Sequence, residues 1–473
     1  MIRQSFKHAL IRDAIYESST TQHLTHQQLA MAMENQEGAD YPPAVIGDHW
    51  SNTHTPVRAT VYYLKAGEQA AKASMVDDAI RHYEKSLNIS LLADKNDGAN
   101  PDKLSALIGL GDNLIRLAKH DEARSYYLEA LNENTAGDIL TSVILYVKYG
   151  KSLETHHLHE KALGSYNRAE ALLNSHTVKD SRWYNTWLTV QLSKLYIHYW
   201  RNELPNMSSI ICSIETCLEY FTDPLSQAQF YDAKLQFELR RTRYNLTQNQ
   251  ISLAKTAYNT SLETDDHQLQ THSLFSLGFT YLFSQQYAEA ENHLLAALKS
   301  ASEKADTTLK TRCLAYLTVL FRLQGDTENT RRYWEQALSY AKNSGMDDYV
   351  AIAYANESWL ACKQGDVSHS QALIQKSNKI WKALSNEFPF PLQWLALLVE
   401  LELLTLLPSD AITDSVQERT IDIAITLLDI SQHALPHPVV GPLKEIMNEK
   451  HNDEHRQQLI LEALRNAQAL GYL

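Results

Sequence analysis

The residues of this chain that come nearest to a chemical motif are His451, Glu454 and His455. Together they read H-x-x-E-H, a spacing that sets two imidazoles on one helical face with a carboxylate beside them. That arrangement suits zinc binding and water activation. A third ligand is hard to find, because Glu462 is the sole carboxylate side chain further along. A solvated charged helix face is the expectation. Gly150-Lys151-Ser152 imitates the end of a phosphate-binding loop, but Leu145 stands where that loop needs glycine, after bulky Val143 and Ile144. Ser339 and Lys342 spell S-x-x-K without the companion elements of a hydrolase. His156, His157 and His159 crowd a turn between helices, where a surface cluster is expected. No Gly-x-Ser-x-Gly elbow, dinucleotide fingerprint or calcium loop is present. The expectation is a chain without catalysis, metal or cofactor.

Composition narrows the alternatives. The chain has 473 residues, 44% of them hydrophobic, and a net charge of −13. An acidic balance of that size does not attract nucleic acid or anionic membrane. No apolar run approaches the roughly 18 residues of a membrane span, and Met1 to Ser19 lacks the apolar core of a signal peptide. The four cysteines, Cys212, Cys217, Cys313 and Cys362, sit within helical patterns and read as reduced thiols. A cytoplasmic location follows as an expectation. Only 15 Gly and 12 Pro argue against many strands or long linkers.

What positions any functional residue is a recurring spacing. A small residue is followed by another twelve positions on, then by a bulky one at +4 and a small one at +7. Gly67, Ala79, Tyr83 and Ser86 keep these offsets. So do Gly111, Ala123, Tyr127 and Ala130; Gly150, Ala162, Tyr166 and Ala169; and Gly278, Ala290, Leu294 and Ala297. Thr318 with Thr330, and Ser358 with Ser370, continue the series. Small residues at this distance let two short antiparallel helices approach closely, and such pairs must stack to bury their apolar faces. The pattern resembles the tetratricopeptide repeat over most of residues 55–380. Turns at Gln285, Gly325 and Gly365 recur every 40 residues, longer than the usual repeat of about 34. The fold expected is all-α, a right-handed superhelical solenoid of antiparallel helix pairs. Three regions are expected: a helical segment at 1–54, the solenoid at 55–385, and a helical cap at 386–473.

Phe6-Lys7-His8-Ala9-Leu10-Ile11-Arg12-Asp13-Ala14-Ile15-Tyr16-Glu17-Ser18 carries a second resemblance. It is similar to a segment of bacterial signalling ATPases of the STAND class, which follows the ATPase core and precedes a tetratricopeptide solenoid. Asp48-His49-Trp50 and Tyr62-Tyr63-Leu64-Lys65-Ala66-Gly67-Glu68-Gln69-Ala70 fit the same continuation. The nucleotide-binding part does not lie in this sequence, so ATP hydrolysis is not implied. Phe6 and Leu10 form one apolar stripe of the opening helix and Ile11 and Ile15 another. These four residues are a candidate docking face. The resemblance implies a signalling ATPase or nucleotide cyclase as the partner.

In tetratricopeptide solenoids the first helix of each pair lines a groove. Mapped onto this sequence, that family pattern selects Phe275, Phe279, Arg312, Tyr316, Arg322, Asn356 and Trp359 as a partner-binding surface. Aromatic anchors with arginines are the composition of interface hot spots. The resulting expectation is a non-catalytic scaffold that binds a protein or peptide within a bacterial signal-transduction system. The alternative is a small-ligand or peptide-pheromone receptor whose groove closes on its effector, and a zinc peptidase is a distant third.

Overall fold

A computed structural model describes residues 22–35, 41–93, 101–134, 138–384, 392–408, 411–447 and 453–473. The proposed docking residues Phe6, Leu10, Ile11 and Ile15 lie outside the described residues, as does His451. Among the described residues there is no strand. The chain divides into two compact units, 1–145 and 146–473.

In chain order the first helices are α1 (Gln22–Asn35), α2 (Pro43–Ser51), α3 (Ala59–Lys72), α4 (Val76–Ala93), α5 (Pro101–Arg116) and α6 (His120–Glu133). Then follow α7 (Ile139–Glu154), α8 (His159–Ser175), α9 (Ser181–Trp200), α10 (Leu204–Glu215), α11 (Pro224–Arg241) and α12 (Gln248–Ser261). The next six are α13 (His267–Phe283), α14 (Tyr287–Glu303), α15 (Thr307–Leu323), α16 (Thr327–Asn343), α17 (Asp347–Lys363) and α18 (Val367–Leu384). The chain ends with α19 (Trp394–Thr405), α20 (Asp414–Leu428), α21 (His437–Ile446) and α22 (Asp453–Ala469). None of the described helices is long and apolar enough to cross a membrane.

The small residues act as the spacing requires. A Cβ placed on Gly111 would meet the Tyr127 ring at 2.4 Å, and one on Gly150 would meet the Tyr166 ring at 2.3 Å. Glycine therefore makes room for the tyrosine of the facing helix. Gly150 accordingly lies inside α7 under an aromatic ring, which is why Gly150-Lys151-Ser152 forms no phosphate loop. Where serine replaces glycine the hydroxyl is satisfied across the pair: Ser358 Oγ donates to Ser370 O at 2.8 Å, and Ser370 Oγ to Ser358 O at 2.9 Å.

The long repeat has a simple origin. Each of α13 to α17 has 17 residues, and three-residue turns separate them, so paired helices restart every 40 residues. The middle residue of each turn has positive φ: Gln285 at 60°, Ala305 at 54°, Gly325 at 73°, Gly345 at 65° and Gly365 at 79°. In the turn after α15, Gly325 N donates to Arg322 O and Asp326 N to Phe321 O, both at 2.9 Å, which closes the helix end. Asp326 then caps α16 by accepting from Asn329 N.

These contacts predict opposite effects for two glycine substitutions on neighbouring helices. Gly150→Ala should destabilise by about 1–3 kcal/mol through overpacking against Tyr166. Gly164→Ala, on α8 with nothing within 4 Å, should stabilise by up to about 1 kcal/mol through helix propensity. Denaturation midpoints check both. Equal shifts would show that the α7–α8 crossing is loose.

Candidate functional site

All of the groove described here belongs to the second unit. The outer helices of the repeats are amphipathic, with α14 burying only Ala290, Leu294, Ala297 and Ala301. The inner helices differ sharply. In α15 every residue from Cys313 to Arg322 is buried, and α13 and α17 are buried almost as fully. One side of these helices meets the outer helices. The other is covered by the chain's own C-terminal region, since α19 packs on α17 and α18, and α22 on α19.

Two loops complete the cover. Arg243 donates to Gln432 O (3.1 Å) and Asp429 O (2.8 Å), while Ala434 N donates back to Arg243 O (3.0 Å). His433 then lies among Tyr244, Phe283, Trp394 and Tyr472, with ring centroids 5.2–6.0 Å away. Burial pushes its imidazole down to about 3, with Arg243 acting in the same direction. It is therefore a neutral core group.

The seven groove residues named from sequence do come together. The Phe279 and Tyr316 rings meet edge-on at 4.8 Å, and Phe275 lies 5.8 Å from Tyr316. Arg312 stands 4.5 Å over the Phe275 ring. Phe275, Phe279, Tyr316, Arg322, Asn356 and Trp359 are all buried, at 1–6% exposure, and Arg312 is half-buried. A large partner cannot reach them without moving the C-terminal cover.

An open cavity of about 320 Å³ with a mixed lining, including Leu192, Leu195 and Leu269, lies next to them. Lys151 and Glu154 of α7, Ser193 and Tyr196 of α9, Asp232 and Gln236 of α11, and His272 of α13 line it. Two of the lining residues, Asp232 and His272, continue to Arg312 as a polar ladder. Asp232 Oδ1 lies 3.7 Å from His272 Nδ1, and His272 Nε2 lies 3.4 Å from Arg312 Nη1. Burial holds the His272 imidazole below its ordinary value, against the pull of Asp232. A neutral ring fits these contacts, with Nδ1–H facing the carboxylate and Nε2 accepting from the guanidinium. Ser276 Oγ also donates to Asp232 at 3.2 Å. On the cavity's other side Glu154 accepts from the Tyr166 hydroxyl. Burial pushes its carboxyl up to about 7, with the Tyr166 hydrogen bond and Lys151 opposing.

Counting back six residues from Gly278 and Thr318 places His272 and Arg312 on the inner face, whereas Asp232 and Glu154 were not among the residues selected from sequence. Asp232 lies on α11, where helices of 18 and 14 residues separated by six residues break the 40-residue count. The histidine turn needs correction too. His157 and His159 are buried, not a surface cluster, and His157 Nε2 lies 3.6 Å from Asp348 Oδ1. Burial first, then His157, pushes the His159 imidazole down to about 3.

Comparison with known proteins bears on the fold. A family profile described as AimR transcriptional regulator-like matches residues 188–352, from α9 to the start of α17. Curated proteins provide no match. Among solved structures, the chain is similar to the Rap conjugation gene regulator of plasmid pLS20 in complex with the Phr* peptide. That likeness has a TM-score of 0.50 at 12% identity and covers 77% of this chain and 95% of that one. The fold is tetratricopeptide-like. A Rap protein complexed with competence and sporulation factor gives a TM-score of 0.44 at 12% identity, over 77% of this chain and 99% of that one. A STAND protein with a tetratricopeptide sensor from Pyrococcus horikoshii gives 0.42 at 14% identity, over 90% and 65% respectively.

The raised Glu154 carboxyl sets a pH dependence for the solenoid. Its folded-state value of about 7 lies above the ordinary 4.5, so the folded chain holds this proton more tightly than the unfolded chain. Stability should therefore fall as pH rises from about 4.5 to about 7, then level off. Glu154→Gln should remove about 1–2 kcal/mol of that fall, less than full linkage because the carboxyl keeps some solvent access. Thermal melts from pH 4 to 8 read the difference, and parallel profiles for the two proteins would refute it.

Proposed function

We propose that this chain is a non-catalytic receptor for a short peptide, whose occupancy regulates a protein partner. The observation that carries the reading is the cavity lined by Lys151, Glu154, Asp232 and His272 on inner helices. Charged groups on inward faces cost stability unless something polar meets them. About 320 Å³ falls within the range of small-ligand sites. One lysine and two carboxylates in the lining suit a ligand with charged, hydrogen-bonding groups better than a wholly apolar one. The covered groove around Tyr316 and Arg322 also favours an enclosed effector over a long protein segment. Two comparisons support the same reading. The AimR-like match spans Tyr196, Asp232, His272 and Arg312, and the pLS20 Rap regulator was solved with its Phr* peptide.

The effector would bridge walls built by α7, α9, α11 and α13, and so fix the rotation between successive pairs. A partner-recruiting scaffold is the second reading. Exposed apolar side chains in the first unit favour it, notably Leu24, Met75, Leu91 and Leu92, the last 80% exposed. A signalling ATPase or cyclase as that partner, and a cytoplasmic setting, belong to this proposal as well.

Screening unmodified hexapeptides by thermal shift tests the receptor reading. A true ligand at a hundred times its Kd should stabilise the fold by about 2.7 kcal/mol. Asp232→Asn and Arg312→Gln should each weaken it at least tenfold, whereas Lys299→Ala on the 79%-exposed outer surface should not. Binding indifferent to the first two substitutions would place the ligand elsewhere.

A further inference from the structure

Arg322 is the least expected residue of the groove. It ends the buried run of α15 and is 1% exposed. Its Nη1 donates to two backbone carbonyls, Tyr472 O at 3.0 Å and Gly471 O at 3.5 Å. Its Nε and Nη2 are buried with no hydrogen-bond partner. The guanidinium carbon sits 4.9 Å from the centre of the Trp394 ring. Two neighbouring groups are in the same condition, for Trp359 Nε1 and Asn356 Oδ1 are also buried and unpartnered.

Neutral carbonyls are poor partners for a buried cation. The Nε–Nη2 edge is one that a carboxylate grips side-on through two parallel hydrogen bonds. Burial without such a partner holds the Arg322 guanidinium down to about 9, with Tyr472 and Tyr287 opposing. A cleft of about 620 Å³ runs alongside, lined by Tyr287, Arg322, Thr327, Trp359, Lys363 and the segment from Gln468 to Gly471.

The occupant of this place is the turn that closes α22, where Tyr472 N donates to Ala467 O at 2.8 Å, and it fits through one residue. Gly471 has φ +76°, and a Cβ there would stand 2.6 Å from Leu323 O. Only glycine lets the segment lie this close. Gln468 ties the end of α22 to Glu402 (2.9 Å), and Glu402 in turn accepts from the Cys362 thiol (3.6 Å).

We propose that the cleft at Arg322 is a second peptide site, specific for a carboxylate, which residues 469–473 of the same chain occupy as an exchangeable stand-in. A peptide carboxylate that displaces Gly471 and Tyr472 takes over Nη1, where their carbonyls now sit, and supplies the charge that those carbonyls lack. The site is separate from the cavity at Asp232 and does not rest on the receptor reading of it.

The test uses the full chain and two probes, acetyl-Ala-Leu-Gly-Tyr as free acid and as C-terminal amide. Gly471→Val forces the segment out, and alkylation of Cys362, followed by peptide mass mapping, reports its release. Alkylation should accelerate at least tenfold in the variant. Calorimetry should then show the free acid binding at least tenfold more tightly than the amide, and more tightly than to the wild type, where the tethered segment competes. Adding Arg322→Gln should abolish the acid–amide difference, while adding Asp232→Asn should leave it. Should Gly471→Val not fold by circular dichroism, Tyr472→Gly weakens the same segment without a clash at 471. An unchanged Cys362 rate in a folded variant would show that the segment is ordinary core and overturn the proposal. So would release of the segment with acid and amide binding alike, or not at all.

Discussion

The close crossing of two helices within each pair is the contact on which the rest depends. Gly111 and Gly150 leave a hollow that a tyrosine ring from the facing helix fills. Ser358 and Ser370 reach the same proximity by bonding each other's carbonyl. A short interhelix distance permits a turn of three residues, and that turn needs a left-handed residue at its centre. Glycine supplies it at 325, 345 and 365, while Gln285 and Ala305 adopt it at some strain. Helix length and turn length together make the period 40, so residues 40 apart occupy equivalent places on successive inner helices.

That register is what assembles the site. His272 and Arg312 are the same position in consecutive pairs, and Asp232 joins them from α11, whose pair keeps a different count. Cys362 of α17 also meets Glu402 of α19. No long-range coincidence is needed to bring charged groups together inside the solenoid. The repeat does it, and the local sequence only chooses which polar group stands at each rung. The Asp232 carboxylate faces the His272 imidazole, and that imidazole faces the Arg312 guanidinium.

Much of this was legible because the crossing has so strict a requirement. Gly67, Gly111, Gly150 and Gly278, with their partners at +12 and +16, located the pairs, and the turns at 325 and 365 gave the period. The site was legible only where the small residue survived. His272 and Arg312 could be placed by counting back from Gly278 and Thr318, whereas Asp232 could not, since α11 and α12 do not keep the regular helix and turn lengths. The covering of the groove was missed for a different reason. A family pattern assigns the inner face to a partner, yet the run from Cys313 to Phe321 is apolar or small on every side of its helix. A helix apolar all round is buried all round. Applied to α15, that rule alone pointed to a cover from within the chain.

Arg322 shows why the cover is more than a hydrophobic lid. Its equivalent one repeat later is Cys362, which donates to Glu402 of α19. With a thiol at the intervening rung, the cation has no carboxylate within one step of the ladder. At Asp232, His272 and Arg312 the middle rung is an imidazole that can accept on one side and donate on the other. A thiol cannot relay charge in this way. One ladder is therefore closed on itself, and the other leaves its cation to two backbone carbonyls of the terminal segment.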